Sequence, residues 1–142
     1  MLRCVSFVTN DAARFFQRLG SLLDVTMYEW YVDDVDLNYI FFREGQYSGA
    51  EFKDALSSLS NLSFARIRWY PQKATIYPID DYRDYDESKC DGLLLFYDGG
   101  YFELYSKDVN LLHAAFKFGS ENGFDQIEYV DDAVDVRTWM HF

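Results

Sequence analysis

Residues 92–105 read GLLLFYDGGYFELY. A β-strand sends successive side chains to opposite faces. A strand built from GLLLFY is therefore apolar on both faces, the pattern of a strand buried on both. Asp98-Gly99-Gly100 follows, and glycine reaches positive φ without steric penalty. YFELY then resumes the β pattern. The stretch predicts a tight antiparallel hairpin.

The rest of the chain adds strands and helices around it. LRCVSFVT at residues 2–9 alternates like a half-buried strand. Thr9, Asn10 and Asp11 offer N-cap side chains, and Phe15, Phe16, Leu19, Leu22 and Leu23 recur at helical spacing. A helix is predicted over 11–23, with Gly20 inside it costing up to ~1 kcal/mol relative to Ala. Residues 25–32 (VTMYEWYV) and 37–42 (LNYIFF) read as strands, with Asp33, Asp34 and Asp36 turning between them. Ser48 and Glu51 form a capping-box signature for a short helix over 49–58. Residues 62–70 alternate again, and Arg66 and Arg68 share one face. Pro71 and Pro78 bracket a loop, since each disfavours helix in the residue before it. Asp108 caps a last helix with an inner stripe of Leu111, Leu112, Ala115, Phe116 and Gly119. Asn122-Gly123 ends it. Residues 124–130 form a final strand, and the apolar tail 136–142 docks as another short one. The pattern predicts one α+β domain over 1–142, a mostly antiparallel sheet of hairpins with three to four helices, covered on one side.

A chain of 142 residues fits one domain. With 49% hydrophobic and 20% aromatic residues it is far from a disordered composition. Its net charge of −11 argues against nucleic acid and against an anionic membrane surface, both of which need Lys and Arg to neutralise phosphates. The natural electrostatic complement is a basic protein. Acidity that serves only solubility is the competing explanation. Cys4 and Cys90 stand apart, without a CxxC pair or a neighbouring histidine, and read as free thiols. The N-terminus lacks a signal-peptide pattern and no apolar run reaches ~18–20 residues. A soluble protein of the cytoplasm is expected.

Groups for bond-making chemistry are sparse. His113 falls within the last predicted helix and His141 is penultimate, neither in a catalytic signature. Zinc lacks ligands. The Asp33-Asp34-x-Asp36 and Asp131-Asp132-x-x-Asp135 clusters invite calcium, but neither has the glycine and closing glutamate of an EF-hand loop. Turn formation is their ordinary explanation. Paired carboxylates for acid/base catalysis arise by chance among 24 acids. No metal, cofactor or catalytic residue is expected, with carboxylate acid/base enzymology kept as an alternative.

Charge distribution says more. Residues 55–79 carry no acid but hold Arg66, Arg68 and Lys73. Internal pairing of the arginines is favoured over an exposed basic patch. The segment after them, IDDYRDYDESKCD at 79–91, has six acids in thirteen residues. As a short helix or acidic loop, it makes Asp80, Asp81, Tyr82, Asp84, Tyr85, Asp86 and Glu87 the candidate partner-binding surface. Tyrosine there offers rigid contact area, and carboxylates accept from Arg and Lys.

The same region carries a family resemblance. Its residues are Ile79, Tyr82 and Tyr85 before Ser88-x-Cys90, the apolar strand to Asp98, and YFELYSKD with Tyr105, Lys107 and Asp108. GF-x-x-I-x-Y-V from Gly123 to Val130 and Asp135-x-Arg137-Thr138 complete it. Residues 79–138 thus resemble a family of small uncharacterised acidic proteins from Gram-positive bacteria, a domain of unknown function. Before residue 79 only Ser6-Phe7 and Trp30 anchor the likeness. The resemblance implies no activity and no functional residues, and Asp135-x-Arg137 reads as a structural ion pair. The leading expectation is a non-enzymatic acidic protein-binding module, an immunity or antitoxin-like inhibitor of a basic toxin such as a nuclease. The alternative is a structural or regulatory domain.

Overall fold

A computed structural model describes residues 1–36, 42–59, 62–133, 135 and 139–140. In chain order it contains β1 (Leu2–Val8), α1 (Ala12–Leu22), β2 (Tyr28–Asp33), β3 (Gly45–Tyr47), α2 (Gly49–Ser57) and β4 (Ala65–Pro71). Then come α3 (Tyr82–Glu87), β5 (Gly92–Tyr97), β6 (Tyr101–Ser106), α4 (Val109–Glu121) and β7 (Asp125–Asp131). These strands form one sheet in the order β3-β2-β4-β5-β6-β1-β7, antiparallel at every pairing. With its helices it makes a single α+β domain.

The DGG hairpin forms as its residues require. Tyr97 pairs with Tyr101, and the Gly100 N–H donates to the Tyr97 carbonyl at 3.2 Å. Asp98 and Gly99 take φ of 53° and 71°. Asp11, Ser48 and Asp108 cap α1, α2 and α4, and the Ser48–Glu51 box is reciprocal. One local expectation shifts. Val25–Met27 is a 3₁₀ turn capped by the Asp24 side chain, so β2 starts only at Tyr28. The strand expected at 37–42 falls on residues 37–41, outside the described ones, and the outer neighbour of β2 is β3, with Trp30 opposite Tyr47.

The sheet is covered on both faces, not one. On the first, α1, α2 and α4 pack against Phe7, Trp30, Ile67, Leu94, Phe96, Phe102 and Leu104. Ring contacts tie this core together, including Trp30 stacked on Phe52 at 4.1 Å and Phe15 against Phe102 at 4.7 Å. On the second face, Cys4, Tyr70, Leu93, Leu95 and Tyr105 meet Ile79, Tyr85, Cys90 and Met140. The cover there, among the described residues, is α3, the segment before it, and Met140. β4 shows why the expectation failed: Ala65 through Tyr70 are all buried, the two arginines included. Polar alternation normally marks a solvated face, but here the polar side chains are under a second layer.

Candidate functional site

The acidic segment sits on that second layer, and two arginines hold it there. Arg66 and Arg68 project from the same face of β4 and are only 6% and 2% exposed. Arg66 clasps Asp33 with both ends of its guanidinium, Nε to Oδ1 at 2.6 Å. Its Nη1 also donates to the carbonyls of Ile79 and Met140. Arg68 donates to the Tyr70 hydroxyl at 2.8 Å and to the Tyr77 carbonyl at 3.1 Å, with Asp33 at 3.6 Å. Internal pairing is thus the fate of these arginines. Burial alone would lower the Arg66 pKa; the hydrogen bond and charge of Asp33 outweigh it and raise it. The arginines pin residues 77–79 and Met140 to the sheet, which fixes where α3 starts.

Within α3 the acids divide by task. Asp81 is the N-cap, its Oδ1 accepting from the Asp84 N–H at 2.9 Å. The Asp84 carboxylate reaches back to the N–H groups of Asp80 and Asp81. Carboxylates here also sit favourably at the positive end of the helix dipole. Glu87 pairs with Arg83 one turn away at 3.1 Å. Asp80 and Asp86 are exposed.

The tyrosines correct the sequence expectation. Tyr85 is 2% exposed and cannot offer contact area. It packs on Tyr105, its hydroxyl donates to the Asp91 carbonyl at 3.4 Å, and burial pushes its pKa well up. Tyr82 is half-buried beneath the Arg3 guanidinium, 3.8 Å above its ring. The exposed aromatics beside the acids are Trp139 and Tyr77, at 62% and 65%. Trp139 forms a bridge with Asp81, and the Met140 N–H donates to the Asp80 carbonyl at 2.9 Å. Sequence reading missed both: Tyr77 falls in the loop bracketed by Pro71 and Pro78, and nothing local says that Trp139 returns to this segment.

Asp33 is engaged by the arginines. Among the described residues no group of three or more His, Cys, Asp or Glu is placed to hold a metal ion. Asp135 accepts from the Tyr105 hydroxyl at 3.2 Å and lies 3.5 Å from Arg3, while Arg137 is outside the described residues. His113 is exposed on α4 beside Tyr129, and His141 is also outside them. No helix among the described residues is long and apolar enough to cross a membrane.

Residues 2–141 match the family described as "Protein of unknown function (DUF2691)". The chain belongs to this DUF2691 family. The match spans both faces of the sheet, well beyond the stretch from 79 to 138 on which the resemblance rested. A relative, "Uncharacterized protein YncE" of Bacillus subtilis (strain 168), is 22% identical over 149 residues, 97% of each chain. No solved structure matches. Neither description states an activity, so this DUF2691 domain has to be read from its own surface.

Proposed function

We propose that this protein is an acidic protein-binding module of the cytoplasm that neutralises a basic partner, as an immunity or antitoxin-like inhibitor does with a cationic toxin such as a nuclease. One observation carries the reading: two exposed aromatics adjoin the acidic segment, Trp139 in a β-bridge with Asp81 and Tyr77 lining a hollow with Asp80, where buried arginines tie the backbone of Tyr77, Ile79 and Met140 to the sheet. Exposed tryptophan and tyrosine next to carboxylates offer an apolar anchor and acceptors for Arg and Lys. A rigid surface loses little entropy on binding. The net charge of −11 adds long-range attraction for a cationic protein.

The test is co-purification from the native host at low and high salt. Wild type should retain a basic protein at 0.1 M salt and release it at 1 M, as the Debye length falls from ~10 Å to ~3 Å. A variant combining Asp80→Asn, Asp86→Asn and Trp139→Ala should fold and fail to retain it. Recovery of no cationic partner at low salt would sink the reading.

A further inference from the structure

We propose that the cleft between the end of α1 and the start of α4 binds a small organic cation, an amine or guanidine carried on an aliphatic body. None of the residues lining it belongs to α3, so this inference does not rest on the proposed function. Its volume is about 530 Å³, within the range of small-molecule sites. Leu22, Leu23, Leu111 and the rings of Tyr28 and Trp69 supply apolar walls.

Three carboxylates from separate segments line it: Asp24, Asp91 and Asp108. Asp24 and Asp108 each cap a helical turn through Oδ1, which leaves Oδ2 outside those caps. Asp91 is half-buried, and its carboxylate accepts no hydrogen bond among the described residues. The Tyr28 hydroxyl likewise has no partner among them. Burial, then the charges of Asp91, Asp108 and Asp24, raise the Tyr28 pKa, so all three carboxylates bear on one hydroxyl. The cation lining the cleft, Lys107, has its ammonium held by the Ser88 carbonyl at 2.7 Å.

The end of α1 points the same way. The last turn of α1 brings its negative dipole end to the cleft and contains no basic residue. The positive end of α4 is already capped by Asp108. An anion would meet three carboxylates against one lysine, whose ammonium is already engaged. A bare metal ion would find no tight cluster of ligands among the described residues. An extended amine can donate in several directions and lay its methylenes along the leucines, with the Tyr28 ring adding cation–π attraction.

The experiment is an NMR titration of the ¹⁵N-labelled protein with cadaverine and with agmatine. 1,5-Pentanediol serves as the uncharged counterpart of cadaverine. Saturable shifts are expected at the Trp69 indole and at the amides of Asp91, Lys107 and Asn110, with no response to the diol. Asp91→Asn should weaken affinity about tenfold, the scale of losing a charge-assisted hydrogen bond. Tyr28→Phe, which removes only a hydroxyl, should weaken it less. Asp80→Asn with Asp86→Asn, on the other surface, should leave it unchanged. Equal binding of the diol, or non-saturating shifts spread over the acidic surface, would overturn the proposal. So would unchanged affinity in a folded Asp91→Asn.

Discussion

At the scale of single residues, Asp33 and Asp91 are opposites. Asp33 answers two buried arginines, and its removal leaves cations without a counter-charge. Asp33→Ala should therefore destabilise the fold by about 3 kcal/mol, read from urea unfolding. The figure belongs at the low end of the range because Asp33 keeps some solvent contact. Asp91 has its pKa raised above the ordinary 3.8, by burial, with Lys107 acting the other way. A carboxyl that protonates more readily when folded costs stability wherever it is ionised in both states. That cost fades as pH falls through the folded pKa and is gone below the unfolded one. Asp91→Asn should accordingly raise the melting temperature at pH 7, with the gain vanishing below about pH 4. Neither role was legible in sequence. Asp33 reads as a turn aspartate and Asp91 as one acid among many, because what distinguishes them is how far each lies from water and cations.

At the scale of elements, α1 and α3 separate local from imposed design. Gly20 lies inside α1 with open space around its missing Cβ and no left-handed backbone requirement. Gly20→Ala should stabilise by about 0.5–1 kcal/mol, visible as a higher thermal midpoint. A loss of stability would mean that the glycine serves something outside the helix. In α3 the acids that look alike differ in use. Asp81→Ala removes the N-cap and should cost about 1 kcal/mol in chemical denaturation. Asp86→Asn, on the outer side, should stay within about 0.5 kcal/mol of wild type. The caps at Asp11, Ser48 and Asp108 and the Asp98-Gly99 turn were readable in advance because each is decided within a few residues. β3 was not, since three residues carry no periodicity and its pairing with Trp30 to Val32 comes from the neighbouring strand.

At the scale of the whole molecule, the second face is a core in its own right and should behave as one. Cys4 and Cys90 both lie in it, 1% and 0% exposed. Burial pushes the Cys90 thiol up to about 11, so little thiolate exists at pH 8. Neither thiol should react with Ellman's reagent in the native protein, and both should react once denaturant unfolds it. Fast labelling of either under native conditions would show that α3 and the chain end lift off the sheet while the first core holds. The outer edges of the sheet discourage strand addition. β3 is only three residues long, and β7 carries Asp125, Glu128 and Asp131, a left-handed Gln126 and register shifts against β1.

The amino-acid sequence by itself determined the hairpin, the helix caps, the stripes that face a core and the excess of negative charge. Each follows from backbone preferences or from residues within a turn of one another. Only the tertiary structure decided that the sheet has two covered faces, that Tyr85 lies inside and that Trp139 stands beside Asp81. Those outcomes hang on Arg66, which meets Asp33 and the Met140 carbonyl at separations of 33 and 74 positions. Periodicity reports which side of an element is polar. What covers that side depends on which distant part of the chain can neutralise and bury it.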